Sequence, residues 1–165
     1  MKGNYMNTKI LLTLPLLALG ISACNETRTP QGKIPAQYVY QAHQYQGSYY
    51  GHFRGEPTRV GLYMNEDQPY VVVENHQNND LLGANCGSTV GLLSSVQGAQ
   101  DVYGQEVLQT AKFDFNAGQC GGAQQVLKMD FSNDQQVIRT RLQDADSDDD
   151  DKNANYYYDG EFVRE

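Results

Sequence analysis

The sequence predicts an all-β domain: an antiparallel eight-stranded up-and-down meander barrel. Three observations predict it. After residue 45, six segments alternate apolar and polar residues with period two, and two more are short β-branched runs. The breaks between those segments carry turn residues. No segment sustains a 3.6-residue apolar period over three turns, so little helix is expected.

The first strand has Tyr49, Gly51 and Phe53 alternating with Tyr50, His52 and Arg54. Gly55-Glu56-Pro57 ends it. Val60, Leu62 and Met64 then alternate with Arg59, Gly61 and Tyr63, up to the break at Asn65 to Pro69. Tyr70 to Val73 and Thr89 to Val96 are β-branched runs. Val107, Gln109, Ala111, Phe113 and Phe115 alternate with Leu108, Thr110, Lys112 and Asp114. Leu127, Met129 and Phe131 make the sixth strand, and Ile138, Thr140 and Leu142 the seventh. Ser132 to Gln135 joins these two as a tight hairpin. The eighth strand has Tyr156, Tyr158, Gly160 and Phe162 on one face. Eight sequential strands suffice to close a small barrel, and an even number lets the last pair antiparallel with the first. Those two strands share a pattern, Gly51-His52-Phe53 and Gly160-Glu161-Phe162, which suits a closing seam.

The N-terminus is built differently. Lys2 and Lys9 form a basic start, followed by the apolar run Ile10 to Leu19. That run is shorter than the roughly 20 residues a membrane span needs. It reads as an export signal over residues 1–23. The end of the run, Ile21-Ser22-Ala23-Cys24, resembles the lipobox of bacterial lipoprotein precursors. That resemblance implies cleavage before Cys24 and acylation of its thiol. Several acyl chains, at about 0.8 kcal/mol per buried CH₂, anchor stably. The residue after the cysteine is Asn25 rather than Asp, which the resemblance associates with the outer membrane. The alternative is an ordinary signal peptide with a chance cysteine. Residues 24–44 are polar, with Pro30, Gly32 and Pro35, and read as a flexible tether. The barrel domain is then 45–165.

Net charge is −8, and loss of Lys2 and Lys9 with the signal takes it to −10. Nothing basic is clustered, which excludes nucleic acid and anionic headgroups as partners held by charge. In an oxidising compartment the remaining pair, Cys86 and Cys120, reads as a disulfide. The meander brings the connections that hold them to one end of the barrel. Such a bridge encloses about 33 residues and contributes about 3–4 kcal/mol.

From Tyr45 to Glu165 the architecture resembles the calycins, the lipocalin-like small barrels. Gly51-His52-Phe53 stands where lipocalins carry Gly-x-Trp, and this chain has no tryptophan. Arg164 is a loose match to their late arginine. The resemblance implies a shape and a possible small apolar ligand inside. The bulky inward set of Val60, Leu62, Met64, Phe113, Phe115, Met129, Phe131 and Leu142 favours a filled interior, with function on the outer surface or at the mouth.

Asp144, Asp146, Asp148 and Asp150 alternate in an acidic loop, as oxygen ligands for Ca²⁺ do. The position-six glycine of an EF-hand is Asp149 here, so a solvated acidic loop is the competing reading. His43, His52 and His76 lack metal-site spacing. No serine sits in a Gly-x-Ser-x-Gly turn, and no catalytic residue is assigned. Tyr49, Tyr50 and Tyr156 to Tyr158 serve as packing, or as an aromatic surface for glycan or peptide. The expected role is a lipid-anchored interaction or binding module of the cell envelope, with an envelope protein or a small apolar ligand as partner.

Overall fold

The computed structural model describes residues 26–53, 55–75, 88–116, 124–144 and 156–165. Strand β1 is Glu26–Arg28, followed by a 3₁₀ turn at Pro30–Gly32 and helix α1 at Ala36–Gln44. The barrel strands are β2 (Gly47–Phe53), β3 (Glu56–Asn65), β4 (Gln68–Asn75) and β5 (Ser88–Gln100). They continue as β6 (Glu106–Phe115), β7 (Gln125–Phe131), β8 (Val137–Asp144) and β9 (Tyr156–Arg164). Strands β2 to β9 pair antiparallel in sequence order, and β9 returns to β2. The six alternating segments and the two β-branched runs are the eight strands of a closed barrel.

Closure runs through the two glycine-aromatic segments. Tyr49 pairs with Arg164, Tyr50 with Val163, and Gly51 with Phe162. The Glu165 N–H adds a bond of 2.9 Å to the Ser48 carbonyl. A Cβ on Gly51 would lie 2.5 Å from the Glu161 carbonyl and 2.8 Å from the Phe162 ring. Glycine therefore lets the last strand approach and lets Phe162 lie inward. Its ring meets Phe53 edge-on, with centroids 4.9 Å apart at 61°.

The inward residues form the core. Tyr49, Phe53, Val60, Leu62, Val71, Phe113, Phe115, Leu127, Met129, Ile138, Leu142 and Phe162 are all fully buried. Each such side chain contributes about 1.5–3 kcal/mol of transfer free energy. Alternation holds along β2 and β7 but breaks in β5 and β6. Their register shifts between Leu93 and Ser95 and again between Gln97 and Gly98. These irregularities turn the distal half of the hairpin over. As a result Leu108 and Thr110 are buried, and the expected inward positions Val107 and Gln109 are not.

The largest departure from expectation is at residues 26–44, read above as a flexible tether. They are docked. β1 pairs with β5, Glu26 opposite Gln97 and Arg28 opposite Ser95. α1 then covers the lower end of the barrel, where β3 meets β4, β5 meets β6 and β7 meets β8. Ile34, Tyr38, Ala42 and Tyr45 are buried at spacings of one helical turn. A helix of nine residues is marginal alone, so this packing holds it. The polar side chains also dock. Strand β6 outruns β7 at this end, leaving the outer backbone edge of Leu108 unpaired by any strand. The Gln41 amide fills that edge, donating to the Leu108 carbonyl at 3.1 Å and accepting from its N–H at 2.5 Å.

Candidate binding surface

Three regions can be judged as sites: the lower end, the outer wall and the upper end. At the lower end the aromatic groups of α1 are used up in holding the plug. The Tyr38 hydroxyl donates to Glu106 Oε1. Burial, then the neighbouring Glu106 carboxylate, push its pKa up to about 12. The Tyr45 hydroxyl donates to the Ser132 carbonyl, and its ring lies 4.6 Å from that of Phe131. The Tyr49 hydroxyl donates to the Tyr45 carbonyl at 2.7 Å. Burial raises the pKa of both Tyr45 and Tyr49. Arg164 donates to the Gln44 carbonyl at 3.2 Å and to the Gln46 carbonyl. It thereby ties the last strand to the exit of the helix, where carbonyls lack partners. These phenols are neutral struts, not acids or bases at neutral pH.

The outer wall carries a groove of about 810 Å³. It forms where β1 leaves β5 and the 3₁₀ turn crosses to the start of β4. Two bonds fix that crossing. The Ile34 N–H donates to the Asp67 carbonyl at 2.8 Å, and Gln68 Nε2 donates to the Gln31 carbonyl at 3.1 Å. The floor is apolar, made by Pro69, Tyr70, Leu92 and Leu93. Leu92 is 55% exposed on an outward position, flanked across the ladders by Tyr70 and Asp114. Arg28, Gln31, Asn65, Gln68 and Asp114 make a polar rim. Thr29, in the same wall, is buried and its hydroxyl has no hydrogen-bond partner. The volume falls within the range of ligand sites, and an apolar floor with a polar rim suits a chain segment with mixed side chains. A second, polar depression of about 310 Å³ lies by Asp130, Asp134, Arg139 and Glu161. Arg139 and Glu161 are 3.4 Å apart but largely solvated, so their pairing contributes little.

The upper end is described only up to the strand ends. Asn75, Ser88, Phe115, Gln125 and Asp144 all stand at this end of their strands. Thr58, Thr89, Gln125 and Gln143 are buried there among the aromatics, and Gln125 Oε1 has no hydrogen-bond partner.

The expected site residues divide as follows. Cys24, Cys86, Cys120, Asp146, Asp148, Asp150 and His76 lie outside the described residues. Asp144 ends β8, opposite Gln125. Among the described residues no group of His, Cys, Asp and Glu is gathered to hold a metal. His43 sits on α1, its Nδ1 2.6 Å from Gln46 Nε2, and His52 lies against Tyr50 on the outer wall. Of the tyrosines expected on the seam, Tyr49 points inward as a strut and Tyr50 outward. The groove escaped the sequence reading. Its one local signal is the phase of β5, where inward Thr89 and Gly91 leave Val90 and Leu92 outward. Among the described residues no helix is long and apolar enough to cross a membrane. Comparison with family models, curated proteins and solved structures finds no match for this chain.

Proposed function

We propose that this chain is a lipoprotein of the bacterial envelope, anchored at Cys24, whose barrel is an interaction module rather than a carrier. The anchor rests on Ile21-Ser22-Ala23-Cys24 and the export signal before it. Asn25 in the next position favours the outer membrane. The interaction role rests on one observation: the inward face is packed with fully buried aromatic and aliphatic side chains, while α1 plugs one end. A carrier needs room inside and a way in. The outer groove over Pro69, Tyr70 and Leu92 offers space without unpacking the core. Its rim can bond the backbone of an extended segment from another envelope protein.

The test has two arms. In a bacterial host, labelled palmitate should enter the full chain and fail to enter Cys24→Ala; equal labelling removes the anchor. An apolar fluorophore titrated into the unlipidated barrel should not bind saturably. Saturable binding that Leu62→Asn weakens and Leu92→Asn leaves unchanged would put a ligand inside and return the carrier reading.

A further inference from the structure

The most exposed large apolar side chains of the described residues are at the lower end. Val102 is 92% exposed, Tyr103 86% and Tyr40 76%. The other exposed ones, on the barrel wall, reach at most 55%. Val102 and Tyr103 form the tip of the β5–β6 hairpin, which runs past the β3–β4 turn. The turn does not need them. Asp101 Oδ1 accepts from the N–H groups of Tyr103 and Gln105, both at 2.8 Å. The Gly104 N–H donates to the Asp101 carbonyl at 3.0 Å, with Gly104 at φ +75. Asp101 and Gly104 therefore set the turn, and the two positions between them are free for polar residues. They hold a valine and a tyrosine instead.

The N-terminal end of β1 points towards this tip. Glu26 pairs with Gln97 and Arg28 with Ser95, so tracing β1 back towards Cys24 leads along β5 towards Gln100 and the tip. Only Asn25 lies between Cys24 and Glu26, and two backbone steps reach about 7 Å at most. No slack tether intervenes, because residues 26–44 are fixed to the barrel. Lipids on Cys24 would bring the lower end against the bilayer.

We infer that the Val102–Tyr103 tip is a membrane-docking element, inserting at the lipid interface beside the acylated Cys24 and holding the barrel with its plugged end down. This rests on the lipoprotein reading above. An aromatic with a polar tip, next to an aliphatic side chain, suits the headgroup–acyl boundary. Tyr40, on the outer face of α1, lies at the same end. Asp101, Glu106 and Asp67 surround this end, so the attraction is apolar and the fitting surface is a neutral one. Two residues on a convex tip are too few for a protein interface, which needs about 800 Å² on each partner.

Because the chain has no tryptophan, Tyr103→Trp places a single reporter at the tip of the full lipidated chain. In phosphatidylcholine vesicles with quenchers in the upper acyl region, emission from position 103 should shift to the blue and lose most of its intensity. A Tyr50→Trp reporter on the wall should do neither. Adding Val102→Asp to Tyr103→Trp should reduce the shift, with the protein still co-floating with the vesicles. Emission from position 103 that stays unshifted and unquenched in co-floating protein overturns tip docking and leaves the anchor reading standing. Protein that fails to co-float overturns both.

Discussion

Replacing Phe162 with alanine tests whether closure of the barrel depends on one inward side chain. The β2–β9 ladder is the shortest in the barrel, with register pairs only from Tyr49–Arg164 to Gly51–Phe162. Phe162 is fully buried, against Phe53 and over the bare backbone of Gly51. Its neighbours are held in ladders on both sides and cannot collapse into the space. Removal therefore costs the transfer free energy of the ring plus a cavity, together about 3–5 kcal/mol. A domain of this size is stable by about 5–15 kcal/mol, so the loss is a large share. Urea titration followed by circular dichroism and tyrosine emission measures it, given an unchanged m-value. Val163→Ala is the control. That side chain is next in sequence, points outward and is 52% exposed, so truncation should cost no more than about 0.5 kcal/mol. A loss below about 1 kcal/mol for Phe162→Ala, similar to the control, would refute the seam argument.

Four further outcomes follow from the same geometry. Thr140 is buried with an unpartnered hydroxyl, so Thr140→Val should stabilise by about 1 kcal/mol in the same titration. The Tyr38 pKa is raised from 10.0 to about 12. Its contribution is thus whole below pH 10 and lost as pH rises towards 12, because the unfolded phenol ionises first. Tyr38→Phe should flatten part of that alkaline fall in melting temperature, with Tyr45 and Tyr49 supplying the rest. If Cys86 and Cys120 are bridged, alkylation of unreduced protein should label neither; labelling of both refutes the pairing. If the acidic loop binds Ca²⁺, millimolar calcium should raise the melting temperature and Asp146→Asn should abolish the rise; no rise leaves a solvated loop.

The eight barrel strands were legible because period two is a local signal. Leu127 and Met129, or Tyr49 and Phe53, announce their face without knowledge of any partner. The seam was legible for the same reason, from glycine and phenylalanine two residues apart on both strands. The plug was not. Ile34, Tyr38, Ala42 and Tyr45 do carry a helical stripe, but it is short, starts before Pro35 and is diluted by glutamines. Those glutamines look like linker composition until Gln41 is seen filling a strand edge. The inward phase of β6 was misread at Val107 and Gln109 because Gln109 is an extra residue in the ladder with β5, which shifts the phase and turns Leu108 inward in place of Val107. The groove was illegible because no segment contains it. It exists only where β1 parts from β5.

The plug has an uneven relation to its own chain. α1 is made before any barrel strand: Tyr38 and Gln41 are fastened by β6, and its exit is fastened later still. Tyr45 waits for Ser132, and the helix exit waits for Arg164, next to the final residue. Contacts so distant in sequence form late and slowly. A chain that stops short of β9 would keep the bonds of Ile34, Tyr38 and Gln41 to Asp67, Glu106 and Leu108 but would lack the Arg164 tie at the helix exit. Pairing of β9 is thus the step that locks the exit of the helix to the closed wall, after its face has already been seated on β5 and β6.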